Sequence, residues 1–211
     1  MRTRLLTVAS LALVLLALAL PARAAGAETL HVKFKGQTAQ AEFSSTEGCV
    51  ETTAYVLASV GEFKTDSGGR EWGSAGEVYL FQSDLCTQTQ LLGGYGIEML
   101  MPGEFQIDEE FTEATLNTTI EVTDRVAGRT IPLNVSVAWD GYGGTFSDDT
   151  RFHEDSPELR VNFHLAGTFR QATASGTVTD GTTNFTPEPA VTGYGTRLGS
   201  IKVGEVDIIN Q

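Results

Sequence analysis

Short segments that alternate apolar and polar side chains recur along this chain and limit the folds open to it. The clearest is Thr29–Lys35, and related patterns occur at Val50–Val60, Ala114–Val122 and Thr130–Trp139. Successive side chains of an extended strand point to opposite faces, so a period of two indicates a strand with one buried face. Helical periodicity over ten or more residues is absent after the N-terminal segment. The sequence therefore predicts an all-β protein.

Turn-forming glycine, asparagine and aspartate residues separate these strands from further ones near residues 77–81, 159–165, 168–178 and 201–209. Many short strands in one chain are typical of a single-domain β-sandwich, here of about eight to ten antiparallel strands. A jelly-roll and an immunoglobulin-like arrangement both fit the pattern. We expect a tight turn at Gly36-Gln37, a joint between strands at Ala166-Gly167, an acidic loop over 140–158 and a surface loop over 180–199.

The N-terminus has the layout of a secretory signal peptide. Arg2 and Arg4 precede an apolar run from Leu5 to Leu20, and Pro21 and Ala22-Arg23-Ala24 follow it. This order of charged, apolar and small residues predicts a cleavable segment over 1–24, with cleavage after Ala27 as the alternative. A membrane anchor is disfavoured, because a spanning helix needs about 20 apolar residues. We expect a β-sandwich domain over 25–211 that is secreted or periplasmic and not inserted in a membrane.

The net charge restricts the partners of this domain. The chain carries a formal charge of −13, and three of its 14 basic residues lie in 1–24, so residues 25–211 carry −16. Nucleic acids and anionic membranes bind through lysine and arginine side chains that neutralise phosphate groups. The composition therefore predicts no binding to nucleic acid, and it suits cationic partners or metal ions.

Two cysteines, Cys49 and Cys86, are present in the whole chain. A small even number of cysteines in an oxidising compartment predicts a disulfide. In the chain-entropy description, a bond that closes a loop of this length stabilises the folded state by about 4 kcal/mol. We expect the bond to hold the ends of two strands together.

An acidic segment offers candidate metal ligands. Its carboxylates alternate with glycines, and Ca²⁺ prefers six to eight oxygen ligands on flexible loops. The spacing is not that of an EF-hand, and a solvated acidic surface is the alternative interpretation. The candidate ligands, with calcium as the candidate cofactor, are Asp140, Asp148, Asp149, Glu154 and Asp155.

Aromatic residues near charged segments suggest a carbohydrate ligand. Trp72 and Tyr142 are the candidate ligand-binding residues, because an aromatic face beside polar groups suits a sugar ring. Trp139 ends an apolar strand, and we expect it in the core.

No nucleophile motif or phosphate-binding loop is present, and no catalytic residue is assigned. The leading hypothesis is a secreted, non-catalytic β-sandwich that binds an unknown extracellular or envelope ligand, either carbohydrate or a ligand held with calcium. The alternative is a secreted hydrolase that cleaves polysaccharide with carboxylates such as Asp140 and Glu154. A structural surface protein is a third hypothesis. Neither the ligand nor the oligomeric state follows from the sequence.

Overall fold

The computed structural model describes residues 29–65, 69–155, 159–186, 191–192 and 195–210. Within these residues the chain forms ten strands and no helix, so the all-β prediction is confirmed. The signal peptide predicted over 1–24 lies outside the described residues. The strands are β1 (Thr29–Glu47), β2 (Val50–Thr65), β3 (Arg70–Asp84), β4 (Thr89–Met99), β5 (Phe105–Ile107), β6 (Glu113–Asp124), β7 (Arg129–Asp155), β8 (Leu159–Thr179), β9 (Val191–Thr192) and β10 (Arg197–Asn210).

The strands pair antiparallel in one continuous sheet. Its order is β10-β8-β7-β6-β4-β3-β2-β1-β9, with β5 attached to β6. Strand β10 pairs with β8 on one side and with β1 on the other, so the sheet closes on itself. The pairing gives one continuous antiparallel sheet, which fits the predicted class, and neither the jelly-roll nor the immunoglobulin-like arrangement is confirmed.

The largest of three apolar clusters in the described residues, which we call the main core, lies inside the closed part of the sheet. In β6, exposed and buried side chains alternate along the whole strand, as the sequence pattern predicted. Leu116, Ile120 and Leu133 are fully buried in this main core. Trp139 is also buried there as predicted, and its indole Nε1 donates a hydrogen bond of 2.9 Å to the carbonyl oxygen of Gln40.

A second core lies on the opposite face of the same sheet. In β1, Val32 and Phe34 point into the second core, whereas Ala39 and Ala41 point into the main core. The buried apolar side chains of β1 are therefore even-numbered at its start and odd-numbered farther along. The residues of the second core are Val32, Phe34, Phe163, Leu165, Phe169 and Ile201, with Phe63 and Phe146 packed against them.

A row of three glycines crosses the sheet where the buried face of β1 changes. Gly36 of β1 pairs with Gly61 of β2, and Gly61 pairs with Gly73 of β3. A Cβ atom added to Gly36 would lie 2.2 Å from the carbonyl oxygen of Val60. Glycine is required because β1 and β2 approach too closely here for a side chain. The turn predicted at Gly36-Gln37 is therefore wrong, since β1 continues through both residues.

The acidic loop predicted over 140–158 is also wrong in its described part. Strand β7 continues to Asp155, with an irregularity in its pairing to β8 between Tyr142 and Thr145. Gly143 lies within this irregularity at φ 69°, a left-handed conformation that glycine adopts readily. Beyond it, the polar residues alternate between the two faces of a strand. Similarly, β8 runs without interruption through Ala166-Gly167, where a joint was expected.

The predicted disulfide is present. Cys49 precedes β2 and Cys86 follows β3, with their Cα atoms 5.5 Å apart. Beside the bond, the backbone N–H of Leu85 donates to the carbonyl oxygen of Cys49 at 2.8 Å. As expected, the bond holds together the ends of two strands.

A charged outer face with two hollows

Basic side chains gather on the face of the sheet opposite the second core, which is exposed at this end of β1 and which we call the outer face. Because Val32 and Phe34 point into the second core, the intervening Lys33 and the following Lys35 point away from it and are exposed. Lys33 pairs with Lys64 of β2, and Lys64 pairs with Arg70 of β3. The cross-strand register therefore places three basic side chains in one row.

These side chains surround a hollow of about 330 Å³, which we call the basic hollow. Two carboxylates join them: Lys33 Nζ lies 2.7 Å from Glu205 Oε1, and Arg70 Nε lies 3.4 Å from Glu62 Oε1. The hydrogen bond from Lys33 lowers the pKa of Glu205, which keeps that carboxyl ionised. The charged residues of the basic hollow are Lys33, Lys35, Lys64, Arg70 and Lys202, with Glu62 and Glu205.

The basic hollow therefore carries a net charge of three positive units on a chain whose total charge is −13. The ion pairs found among the described residues occupy Lys33 and Arg70 but not Lys35, Lys64 or Lys202. These last three ammonium groups are exposed and available to an anion. The total charge of the chain does not predict this cluster of basic side chains.

Trp72, a predicted ligand-binding residue, lies on the same face as the basic hollow. It pairs with Glu62, which in turn pairs with Lys35. Its side chain is 77% exposed, the most exposed of the large hydrophobic residues described. An indole ring thus lies in the strand that supplies Arg70, two residues farther along.

Tyr142, the other predicted ligand-binding residue, is 54% exposed but lies on the opposite face. It pairs with Gln171, on the side of β8 that carries Phe169 and the second core. The structure therefore does not bring Tyr142 and Trp72 together.

A second hollow of about 330 Å³ lies on the same outer face, farther toward β7. It is lined by Arg151, His153, Asn162, Phe163 and His164, and we call it the histidine hollow. His153 Nδ1 lies 2.7 Å from Asn162 Oδ1, and His164 Nε2 lies 3.2 Å from Asp149 Oδ1.

The third histidine of the chain, His31, is on this outer face too. It pairs with Asp207 of β10 and contacts its carboxylate. His31, His153 and His164 are far apart in sequence, and only the register of β1, β10, β8 and β7 brings them onto one face.

One cross-strand row connects the two hollows. His164 pairs with Glu205, and Glu205 pairs with Lys33. The complete row, from β7 to β3, is Arg151, His164, Glu205, Lys33, Lys64 and Arg70.

The residues predicted to bind calcium do not converge. Asp148 and Asp149 are consecutive in β7, so their side chains point to opposite faces. Asp140 is exposed and lies eight residues before Asp148, which separates them by roughly 25 Å along a strand. The side chains of Glu154 and Asp155 lie outside the described residues. The described aspartates therefore do not form a single metal site, because ligands must converge within about 2.5 Å of Ca²⁺.

Asp148 has a structural role instead. Its Oδ2 lies 2.8 Å from Arg197 Nη1, and its Oδ1 accepts a hydrogen bond of 2.9 Å from Thr150. The Arg197 side chain is only 10% exposed, and its guanidinium donates to Gln40 Oε1 at 3.1 Å and lies 4.1 Å from the centre of the Phe169 ring. Asp148 thus neutralises a nearly buried cation.

A single group of potential metal ligands in the described residues comprises Cys49, Asp84 and Cys86. The two sulfur atoms are joined in the disulfide, and Asp84 Oδ1 accepts hydrogen bonds from the backbone N–H groups of Cys86 and Thr87. These bonds lower the pKa of Asp84, chiefly through the contact with Thr87. The disulfide and the turn that it closes account for the proximity of these three residues.

A buried carboxyl in β3 was not predicted from the sequence. Glu77 is 3% exposed, and burial raises its pKa to about 8, although a hydrogen bond from Tyr79 acts in the opposite direction. Tyr79 Oη donates to Glu77 Oε2 at 3.2 Å, and the Tyr79 ring packs 4.8 Å from that of Tyr95. Burial also raises the pKa of Tyr79. Glu77 is therefore neutral at pH 7.

Fold and site together define an all-β protein with a closed antiparallel sheet and a charged outer face. Comparison with known proteins finds no family model, no curated protein and no solved structure that matches the chain. Within the described residues, no helix has the length and apolar character needed to cross a membrane.

Proposed function

We propose that this protein is an exported, non-catalytic binding protein whose ligand is an anionic carbohydrate held at the basic hollow. The observation that carries the proposal is the concentration of five basic side chains around one hollow of a strongly acidic chain. The N-terminal segment and the disulfide support export, because disulfides persist in oxidising compartments.

The charge distribution supports a compact anionic ligand. Lys35, Lys64 and Lys202 offer ammonium groups to carboxylate or sulfate oxygens, and such charge-assisted hydrogen bonds are among the stronger polar contacts. A long nucleic acid would extend beyond the hollow onto a surface dominated by carboxylates, and would be repelled there. A ligand confined to this face avoids that repulsion.

The exposed indole of Trp72 supports a carbohydrate. An aromatic ring offers an apolar surface to the C–H groups of a sugar, and Trp72 shares its face with the ammonium groups. The combination of ammonium donors and an indole suits a sugar bearing acidic substituents.

The test is isothermal titration calorimetry of residues 25–211 with sulfated maltotetraose and with tetragalacturonate, against unmodified maltotetraose. We expect the anionic sugars to bind and the neutral sugar not to bind, and the two anionic probes distinguish sulfate from carboxylate recognition. Equal or absent binding of all three would overturn the proposal.

Two variants form a matched pair for this test. Lys64→Gln removes one positive charge from the basic hollow, whereas Arg125→Gln removes one from an exposed turn outside it. We expect roughly a fivefold to tenfold loss of affinity for Lys64→Gln and little change for Arg125→Gln, because one charge-assisted contact contributes about 1–1.4 kcal/mol. Equal losses would indicate a general effect of net charge.

The same samples test the alternative hydrolase. Release of new reducing ends from the sugars, lost in Asp140→Asn or Glu154→Gln, would favour a carboxylate-dependent enzyme. Binding without cleavage is expected for the proposed binding protein.

A further inference from the structure

We infer that the histidine hollow is a second anion subsite for the same ligand, and that its affinity for an anion is higher at pH 5.5 than at pH 7.5. This inference rests on the proposed function and extends it from one hollow to two. The ligand class becomes an oligosaccharide with at least two anionic groups.

The first support is the position of the two hollows on one continuous face. Lys33 of the basic hollow and His164 of the histidine hollow lie in the same cross-strand row, with Glu205 between them. Two strand spacings separate them, which is about 10 Å. A single acidic sugar reaches only one hollow, whereas an oligosaccharide along the row reaches both.

The second support is the set of hydrogen-bond donors in the histidine hollow. Arg151 supplies a guanidinium that is 72% exposed, Asn162 supplies an amide, and His153 and His164 supply imidazole nitrogens. An arginine between two imidazoles suits a sulfate or carboxylate group, which accepts several hydrogen bonds at once.

The charges that face this hollow explain why its affinity depends on pH. On β7, Asp149 lies 3.5 Å from Arg151 Nε and 3.2 Å from His164 Nε2, so it competes with any anion. On β10, Glu205 pairs with His164 and Asp207 pairs with Asn162, and on β1 these two rows continue with Lys33 and His31. With neutral imidazoles, these three carboxylates outnumber the two basic groups, Arg151 and Lys33, around the hollow.

Acidification changes this balance. Imidazole groups generally gain a proton as the pH falls below about 6.5, and aspartate and glutamate generally titrate near pH 4. A hollow lined by imidazole groups beside an arginine therefore gains positive charge in a range of pH in which carboxylates in general stay ionised. The attraction for an anion increases in this range.

The experiment measures the affinity for sulfated maltotetraose at pH 7.5 and at pH 5.5, with ionic strength held constant. Sulfate esters remain ionised throughout this range, so only the protein titrates. We expect roughly tenfold tighter binding at pH 5.5, because each new charge-assisted contact is comparable to one tenfold step. Affinity that does not increase would overturn the inference.

Two sets of variants distinguish an effect of the histidine hollow on affinity from an effect of the overall charge of the protein. His153→Gln with His164→Gln removes the two imidazoles of the hollow, and we expect it to abolish the increase at pH 5.5. His31→Gln is the matched control, because His31 is on the same face but does not line the hollow. An increase that persists in the double variant would overturn the inference.

The two proposals fail in distinguishable ways. No binding at either pH overturns the proposed function itself. Binding that is lost in Lys64→Gln but does not depend on pH leaves the basic hollow as the site and overturns only the second subsite. Thermal melts of each variant at both pH values determine whether that variant is folded.

Discussion

Asp148 and Asp149 are adjacent in sequence, yet their carboxylates lie on opposite faces of β7. Asp148 pairs with the nearly buried Arg197, and Asp149 lies outside, within 3.2 Å of His164 and 62% exposed. The alternation of strand side chains thus assigns two identical residues to different roles, one in the interior and one beside the histidine hollow.

This difference predicts unequal effects on stability. Asp148→Asn removes the charge that neutralises Arg197, and we expect it to lower the free energy of unfolding by about 1–3 kcal/mol. Asp149→Asn, on the exposed side, should change it by less than about 0.5 kcal/mol. Urea unfolding of both variants at pH 7 makes the comparison, and equal losses would contradict the assignment.

Calcium provides an independent test of the same aspartates. Since Asp148 and Asp149 cannot share one ion, we expect the melting temperature in EDTA to be unchanged when Ca²⁺ is added. A rise that disappears in Asp148→Ala with Asp149→Ala would restore a calcium site in this segment. A site at saturating calcium, about one hundred times its dissociation constant, would stabilise by about 2.7 kcal/mol and be readily detected.

The buried carboxyl of Glu77 predicts a specific dependence of stability on pH. Its pKa is raised from 4.5 to about 8, so between these values the unfolded chain has lost a proton that the folded protein retains. The contribution of Glu77 to stability is therefore fully present below about pH 4.5 and declines as the pH rises to about 8, by roughly 1.4 kcal/mol per pH unit.

Glu77→Gln should remove this decline, because the amide remains neutral and still accepts the hydrogen bond from Tyr79. We expect the variant to match the wild type near pH 4.5 and to be more stable at pH 8, as measured by urea unfolding. Glu121→Gln, on the exposed face of β6, is the control. A difference between wild type and Glu77→Gln that is the same at both pH values would rule out a neutral, buried Glu77.

The glycine row predicts intolerance to a single methyl group. A Cβ at Gly61 would lie 2.3 Å from the carbonyl oxygen of Lys35 and 2.6 Å from the Cα of Gly36, so the two strands would have to separate. We expect Gly61→Ala to cost at least about 3 kcal/mol of stability. Gly144→Ala, whose added Cβ meets no atom within 4 Å, should be tolerated, and thermal melts of both variants test the comparison.

The disulfide closes a loop whose ends are 37 residues apart in sequence. Cys49→Ser with Cys86→Ser should lower the free energy of unfolding by about 4 kcal/mol in the chain-entropy description. Guanidinium unfolding of this variant, compared with oxidised wild type, tests the value, and reduced wild type controls for the serine substitutions themselves. Unchanged stability would show that the bond does not constrain the unfolded chain.

The sequence predicted the features that depend on local alternation and little beyond them. The pattern from Ala114 to Val122 became the regularly alternating β6, and Trp139 was correctly assigned to the core. These predictions succeeded because the period of a strand is a property of the strand alone.

The failures share one physical cause, which is contact between distant strands. Gly36 resembles a turn residue in isolation, and only the close approach of Gly61 explains why the strand continues. The acidic segment resembles a loop, yet pairing with β8 extends it as a strand. Both hollows are formed by the register of the strands, which for example pairs Lys33 with Glu205. The residue pattern does not specify this register.

The pairing of β1 with β10 also governs the order in which this protein can fold. His31 contacts Asp207 across 176 residues of chain, so β1 receives its second neighbour from a strand that is synthesised much later. Until β10 has been synthesised, this edge of β1 lacks that neighbour, and the sheet cannot close. Such distant pairings slow folding, since loop-closure entropy is lost before the contacts form. The protein therefore reaches its native fold only after β10 has been synthesised and has paired with β1.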